Sequence, residues 1–261
     1  MKTLGFAPRD VLALVRHAQR ADLPGPLLVT GVLAEQLAGA LAAGGDRALV
    51  ATSGEPGRAV ALVRVVAGVA TADDEAQLRA ASRALVPVVA VQTGITTVPL
   101  PYVHPVDVVD CPPGSGFPVE AIAEALARAL GKDGMPLAAG LPVVRPAFEH
   151  RRVFDAAVSA GTLAAVTRHG GPHLPMLALA QARMLSDLST AYGAGGRDDT
   201  RAAAEAVAPR LAAAVATGIV SRALVRRLPF RGRLAEGAVA AASTFALGVA
   251  FSRIRSVRSG S

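Results

Sequence analysis

The sequence predicts an α/β domain followed by an all-α domain. Up to about residue 131, aliphatic runs of strand length alternate with segments of helical period, and after about residue 147 only helical period remains. Strands buried on both faces of a parallel sheet are continuous aliphatic runs, so the first domain should contain a small, mostly parallel sheet. The second domain should be an α-helical bundle. The predicted boundaries are 1–133 for the α/β domain, 134–147 for the linker and 148–256 for the helical domain.

Composition excludes several classes of function. The net charge is +7, but only Lys2 and Lys132 among the 27 basic residues are lysines, a bias typical of high-GC codon usage; attraction to anionic lipid or nucleic acid is the alternative. Because aromatic residues that could stack on bases are scarce, no nucleic-acid partner is expected. The single Cys111 excludes a disulfide framework and a multi-cysteine metal site, and it is typical of a reducing, cytoplasmic compartment.

The first part of the α/β domain begins with a helix over Pro8–Asp22 and an apolar strand that starts at Pro26. The strand ends at Thr30-Gly31 and turns at once into a helix over Leu33–Ala43. Two aliphatic runs follow, Ala48–Thr52 and Ala59–Ala67. Because the six residues between these runs are too few for a parallel crossover, the two strands should be antiparallel or non-adjacent.

The second part of the domain continues the alternation. A helix begins at Thr71, where a capping side chain precedes acidic residues in the first turn, and runs to Leu85. A buried strand over Pro87–Val91 follows, and three prolines then keep the chain extended. A short strand over Val106–Val109 and a helix over Val119–Leu130 complete the domain.

Four segments of the second domain have helical period: Phe148–Arg168, Leu174–Tyr192, Thr200–Leu228 with a kink or break near Pro209, and Leu234–Arg255. On the second of these, Gln181 shares one face with four apolar residues, Leu177, Met184, Leu185 and Leu188. A buried amide requires a hydrogen-bond partner, so Gln181 could join two helices.

The stretch Pro26–Gly39 has the strand, turn and helix of a phosphate-binding site but lacks the residues that bind phosphate. A P-loop needs a second Gly five positions after the first, then Lys, then Ser or Thr; counted from Gly31, these positions hold Gln36, Leu37 and Ala38. Mg²⁺-dependent hydrolysis is not expected, because no residue is placed to hold the metal. The sequence therefore predicts no catalytic residue, no metal and no cofactor.

Ligands of open α/β sheets bind at the carboxyl ends of the strands. The residues expected to surround such a pocket are Thr30, Gly31, Ser53, Gln92, Thr93 and Gly94. The loop Gly114-Ser115-Gly116 could direct its amides towards an anion ahead of the next helix, or it could simply be a turn. In the same way, Gly31 could admit a phosphate, or it could serve only the geometry of a strand-to-helix turn.

Arginines surround the uncharged stretch Gly237–Ser252, which is about one helical turn short of the ~20 residues that cross a bilayer. They are Arg222, Arg226, Arg227, Arg231, Arg233 and Arg253. These arginines could lie against anionic headgroups, or they could belong to a soluble bundle in which Ala and Gly allow close helix packing. The expected partner is an anionic membrane surface or a protein, and a homo-oligomer formed through the helical domain is also allowed.

Four segments between residues 24 and 131 fall in a familiar order: Pro26–Ala43, Ala59–Gly68, Val86–Gly94 and Val106–Leu130. Together they resemble a degenerate P-loop GTPase domain of the Era-like kind with one strand-helix step missing. In that resemblance the first segment is the first strand and helix, and the second is the central strand. The third segment is the guanine-recognition strand, and the fourth is the final strand, loop and helix. The diagnostic residues differ. Leu37 and Ala38 replace the Walker lysine and the magnesium-binding hydroxyl, no Asp-x-x-Gly stands where the magnesium loop belongs, and Gln92-Thr93-Gly94 replaces the guanine-reading Asn-Lys-x-Asp.

Three segments distinguish the second domain: Gln181–Leu185 with Tyr192-Gly193, Gly218–Leu228 with Pro229, and Ala241–Gly248. With them, the region of about Arg151–Ile254 resembles the helical domain of unknown function in YcjF-type bacterial inner-membrane proteins, which often follows a GTPase domain. This resemblance implies membrane association and no known catalysis.

The leading hypothesis from sequence is a non-catalytic, pseudo-GTPase-like interaction protein. It has lost nucleotide binding and associates with a membrane through its helical domain, peripherally or integrally at the inner membrane. The alternative is an enzyme or sensor that binds a nucleotide or another phosphate ligand through Gly31 and the loop Gly114–Gly116.

Overall fold

The computed structural model describes residues 25–94, 98–166, 173–193 and 233–259, together with Pro209 and Ala216. The chain forms two compact units: one spans Asp22–Arg151, and the described residues from Arg152 onwards belong to the other. The first unit contains a five-stranded sheet with helices, and the described part of the second unit is helical. The predicted class, an α/β domain followed by a helical region, is confirmed.

The sheet of the first unit is parallel throughout. Its strands are β1 Leu27–Gly31, β2 Val50–Ala51, β3 Ala61–Ala67, β4 Val88–Thr93 and β5 Val108–Cys111, in the order β2-β1-β3-β4-β5. Because β2 and β3 pair with opposite edges of β1, they are non-adjacent, as their short connection predicts. This strand order is one of the two common doubly wound orders.

The helices of the first unit are α1 Ala34–Leu41, α2 Ala72–Arg83, α3 Val119–Leu130 and α4 Met135–Gly140. Three more follow: α5 Arg145–Val166, α6 His173–Thr190 and α7 Arg233–Ser259. The predicted helices over 33–43, 71–85 and 119–130 correspond to α1, α2 and α3. The helix predicted over 8–22 lies outside the described residues, and Pro209 and Ala216 alone are described of the helix predicted over 200–228.

Both faces of the sheet are buried, as the aliphatic runs predict. Leu28 of β1 and Leu62 of β3 pack with Leu78 of α2. Their neighbours Leu27 and Val63 point to the opposite face by strand alternation, and they too are fully buried. Helix α1 contacts β1, and α3 contacts both β4 and β5. The carboxyl ends of the parallel strands therefore lie together at one end of a sheet whose central strands are buried on both faces.

The stretch 134–147, predicted as a linker, forms α4 and the first residues of α5. Its apolar side chains are buried, among them Met135, Leu137 and Val144. The Arg145 guanidinium donates hydrogen bonds to the carbonyls of Ala138 at 3.1 Å and Ala139 at 3.2 Å, which closes the last turn of α4. This stretch thus packs within the α/β unit, and the division between the units falls after Arg151.

The helical unit is held together by small side chains and a few buried polar contacts. Ala160 of α5, Leu177 of α6 and Ala240 of α7 form one apolar cluster. The Gln181 side-chain amide of α6 donates to the Thr244 hydroxyl of α7 at 2.8 Å, and both residues are buried. The prediction that Gln181 joins two helices is confirmed.

Candidate functional site

The turn from β1 to α1 closes tightly against β3. Gly31 has φ +101°, and a Cβ atom built at this position would lie 2.0 Å from the Val65 carbonyl oxygen. The next amide, Val32 N–H, donates to that same oxygen at 3.2 Å. Packing of one strand against the next therefore requires glycine here, whether or not a ligand binds.

The positions that hold lysine and a hydroxyl residue in a P-loop are buried in the hydrophobic core of this domain. Leu37 and Ala38 are both 0% exposed. The second glycine of a P-loop is replaced by Gln36, whose side chain is exposed. A phosphate at this turn would meet neither an ammonium group nor a magnesium-binding hydroxyl.

The first turn of α1 contains a fixed negative charge. The Glu35 carboxylate accepts a hydrogen bond from the Arg47 guanidinium at 3.0 Å and another from the Thr52 hydroxyl. A carboxylate in the first turn is stabilised by the helix dipole, and Glu35 here occupies Arg47 and Thr52, the donors that an anion at this helix end could otherwise use. The residue that precedes the helix, Leu33, has φ +57° and makes no side-chain capping bond.

The polar side chains at the end of β4 are tied to the backbone. Gln92 is 3% exposed, and its Nε2 donates to the carbonyls of Gly68 at 2.9 Å and Val98 at 3.2 Å. The Thr93 hydroxyl lies 3.4 Å from the Val66 carbonyl oxygen. These contacts fix the segments that follow β3 and β4, so Gln92 has a structural role that its sequence position alone did not reveal.

The loop Gly114–Gly116 is an ordered turn. The Ser115 hydroxyl donates to the Pro112 carbonyl at 2.7 Å, and Gly114 and Gly116 have φ +82° and +71°. The Cys111 thiol donates to the Gly116 carbonyl at 3.3 Å, and burial raises the pKa of this thiol. Cys111 is thus protonated and held in place, which is unlike a nucleophilic cysteine.

A cavity of about 140 Å³ lies where α1 and the β5–α3 loop meet the ends of β4 and β5. Its nine lining residues are Leu33, Gln36, Thr93, Cys111, Pro112, Pro113, Gly114, Gly116 and Phe117. All nine are uncharged. The cavity is open to solvent, and its volume is below the roughly 300–1,000 Å³ of drug-sized and cofactor sites.

The structure brings together only part of the predicted pocket. Thr93, Gly114 and Gly116 line the cavity, whereas Ser53 is exposed at the end of β2 and is not a lining residue. Thr30 pairs in register with Arg64 on the sheet face that α2 covers. The predicted ring of residues is therefore divided between the two faces of the sheet.

A buried ionic network on the α2 face was not singled out from sequence. Arg64 of β3 donates through Nε to Asp74 at 2.7 Å and through a terminal nitrogen to Asp73 at 2.6 Å. Asp74 also accepts from the Thr71 amide and hydroxyl, each at 2.7 Å, and thereby caps α2. The sequence signal was available, since Arg64 is the one charge in an aliphatic strand and a helix cap follows it.

The ionisation of Asp74 is set by opposing effects. Burial by itself raises the pKa of the carboxyl, but hydrogen bonds from Thr71 and Arg64 and the positive charge of Arg64 together lower the pKa below its ordinary value. Asp74 is therefore a carboxylate engaged in structure. Among the described residues, no group of three or more His, Cys, Asp or Glu side chains could hold a metal ion.

The predicted membrane-facing arginines are largely outside the structure's described ranges. Arg222, Arg226, Arg227 and Arg231 fall there; Arg233 is the first residue of α7, and Arg253 lies exposed near its end. Within the described helices, residues Gly237–Ile254 of α7 are long and apolar enough to cross a membrane, and 22% of them are buried.

Comparison of the chain with models of protein families, with curated proteins and with solved structures gives no significant match.

Proposed function

We propose that this protein is a non-catalytic, pseudo-GTPase-like interaction protein that associates with an anionic membrane surface through its helical domain. The observation that supports the first half most strongly is the burial of Leu37 and Ala38 in the core, at the two positions that would hold lysine and a hydroxyl for a nucleotide's phosphates. In this proposal the strand and helix of a phosphate-binding site remain, and buried apolar side chains occupy the positions that would bind the phosphates.

Two further observations point the same way. Glu35 places a carboxylate in the first turn of the helix that would face the phosphates, and its partners Arg47 and Thr52 hold it there. Burying the charge of a phosphate without a cation or a full set of donors costs several kcal/mol or more. The α/β domain is thus suited to contacts through its surface rather than to nucleotide turnover.

The membrane half of the proposal is supported by α7. One side of this helix is buried at Gly237, Ala240, Thr244 and Gly248. An adjacent side exposes small and apolar residues at helical spacing, Ala238, Ala242, Phe245 and Ala246. With the arginines predicted to surround the segment, this side could lie in the headgroup region of a bilayer that carries negative charge, such as a bacterial inner membrane.

Thermal unfolding with and without ligands tests the first half. The midpoint should not change when GTP, GDP or ATP is added with Mg²⁺, because a ligand raises it only by binding the folded state. A rise that saturates with nucleotide and disappears with EDTA would refute the proposal.

Flotation with liposomes tests the second half. The protein should float with vesicles that contain anionic lipid at low salt, and less so at high salt. Ala246→Glu should reduce flotation, because it places a charge on the exposed side of α7, whereas Ala43→Glu, at an exposed position of the α/β unit, should not. Protein that stays at the bottom with anionic vesicles at low salt would contradict membrane contact.

A further inference from the structure

The cavity at the strand ends differs from a phosphate site in its chemistry as well as its size. Its lining consists of apolar side chains, two prolines and glycines, with one amide from Gln36 and one hydroxyl from Thr93. The cavity is open to solvent, and a charged ligand placed there would meet no charged side chain in the lining. The lining therefore favours an uncharged ligand over an ion.

The volume sets the size of that ligand. An apolar cavity of about 150 Å³ that is enclosed in a protein core accommodates benzene. This cavity has a similar volume, about 140 Å³, but is open to solvent, so it has room for one six-membered ring whose small substituent can point outwards. Phe117 and the two neighbouring prolines, Pro112 and Pro113, supply flat apolar surfaces against which such a ring can pack.

The polar groups define what the substituent should be. The bond from the Thr93 hydroxyl to the Val66 carbonyl is 3.4 Å long, against roughly 2.5–3.0 Å for a well-formed O–H···O bond, so this hydroxyl is weakly engaged. In the parallel register Thr93 is paired with Cys111, which places both side chains on the same wall of the cavity. A ligand hydroxyl could bond to Thr93 or to Gln36 while its ring fills the apolar part.

We propose that this cavity is a binding site for a small, uncharged aromatic alcohol of about the size of phenol. The site lies at the carboxyl ends of the strands, where open parallel sheets bind their ligands. Here the ligand would be neutral and would not be a nucleotide. The site does not depend on the proposed function, since a protein that binds a neutral ring here can lack nucleotide binding and membrane contact or possess either.

Cys111 provides the readout, because it is the only cysteine of the chain and it lines the cavity. The rate at which a neutral disulfide reagent such as 2,2′-dithiodipyridine labels the thiol is measured against increasing phenol, at a mildly alkaline pH because burial raises the pKa of the Cys111 thiol. If labelling proceeds only from the unliganded protein, the rate should fall with saturation, roughly elevenfold at a phenol concentration ten times its Kd. Benzoate, a ring of similar size with a charge, should protect far less.

A second measurement checks the location. Saturation-transfer NMR observes phenol binding directly, and Cys111→Met, which fills the cavity, should reduce the phenol affinity at least tenfold. Val106→Met places the same side chain at an exposed position outside the lining and should leave the affinity unchanged. Circular dichroism confirms that each variant is folded, and the labelling experiment on the unmodified protein stands whether or not Cys111→Met folds.

Each outcome decides the proposal. Saturable protection by phenol that exceeds protection by benzoate supports it. No saturable protection up to the solubility of phenol, labelling that phenol accelerates, or equal protection by benzoate and phenol would overturn it. Equal phenol affinity of a folded Cys111→Met and the original protein would show that phenol binds elsewhere, and would also overturn it.

Discussion

In both units glycine lets two backbone segments pack closely, but the segments are neighbouring strands in one unit and neighbouring helices in the other. In the α/β unit, Gly31 has a positive φ and admits a backbone carbonyl of the next strand. In the helical unit, Gly161 and Gly237 let α5 and α7 pack closely: a Cβ at Gly237 would lie 2.9 Å from the Gly161 carbonyl oxygen. In each case a glycine next to an apparent binding or membrane motif is explained by packing.

The buried polar links of the two units also differ. The α/β unit joins β3 to α2 through one arginine and two carboxylates, Arg64 to Asp73 and Asp74. The helical unit joins α6 to α7 with a neutral amide and hydroxyl, Gln181 to Thr244, and α5 to α6 with an ion pair, Arg152 to Asp187. We therefore expect loss of the Arg64 network to cost more stability than loss of the neutral link between Gln181 and Thr244.

The largest effect is expected from Gly31→Val. Left-handed strain and the clash with the Val65 carbonyl should together lower the free energy of unfolding by about 4 kcal/mol. Urea denaturation, with hydrogen exchange of β1 and β3 to locate the change, measures it. Gly39→Ala is the matched control: nothing lies within 4 Å of a Cβ there, so alanine should stabilise α1 slightly. Unchanged stability of Gly31→Val would remove the packing explanation for this glycine.

Arg64→Met comes next. Removing one member of a buried ionic network leaves Asp74 without its cation, which should cost about 3 kcal/mol in the same denaturation experiment. Arg58→Met is the control, since the pair of Arg58 with Glu55 is exposed and should contribute little. Equal effects of the two substitutions would show that the network does not stabilise the sheet.

In the helical unit, Gly237→Leu should cost about 2 kcal/mol, because the new side chain must displace α5 at Gly161 and Ala165. Ala242→Leu, at an exposed position on the same helix, should change stability by less than about 0.5 kcal/mol. Hydrogen exchange of α7 peptides reports both. A Gly237→Leu protein as stable as Ala242→Leu would mean that close packing of α5 and α7 is not required.

A smaller loss is expected from Gln181→Leu. It leaves the buried Thr244 hydroxyl without its donor, at a cost of about 1–2 kcal/mol. Adding Thr244→Val should recover part of that loss, since neither partner is then left unpaired. A double-mutant cycle with no coupling between the two positions would contradict a link between α6 and α7.

The finest test is the pH dependence of stability. Because the pKa of Asp74 is lowered in the folded state, its contribution is complete above its unfolded pKa of about 4 and is lost as pH falls through the folded pKa. Urea denaturation at a series of pH values should show a shallower acid loss for Asp74→Asn than for the unmodified protein. Glu124→Gln, an exposed change in the middle of α3, is the control and should leave the slope unchanged; identical slopes for all three proteins would exclude a role for Asp74.

Sequence patterns predicted most of the fold because burial on both faces of a parallel sheet leaves a plain aliphatic signal, as in β3 and β4. They also predicted the link made by Gln181, since a lone amide on an apolar face needs a partner. They missed the packing of 134–147 with the α/β unit, because frequent Pro and Gly are typical of a linker as well as of short helices such as α4.

The candidate site was less predictable. Strand-end position alone grouped Thr30 and Gln92 with Thr93, yet alternation of side chains places neighbours on opposite faces. Gln36 and Cys111 were not proposed as lining residues, because only the arrangement of α1 and the β5–α3 loop brings them to one cavity. A strand-end pattern locates the end of the sheet where the cavity lies, and three-dimensional packing decides which face lines it.

We propose that the α/β domain keeps the strand and helix of a nucleotide-binding fold without the nucleotide site. Calorimetric titration of the full chain with GTP, GDP and ATP in the presence of Mg²⁺ tests this proposal most directly. We predict no saturable heat of binding for any of the three, because Leu37, Ala38 and Glu35 leave the phosphates without partners. Saturable, Mg²⁺-dependent binding in the micromolar range would contradict the proposal.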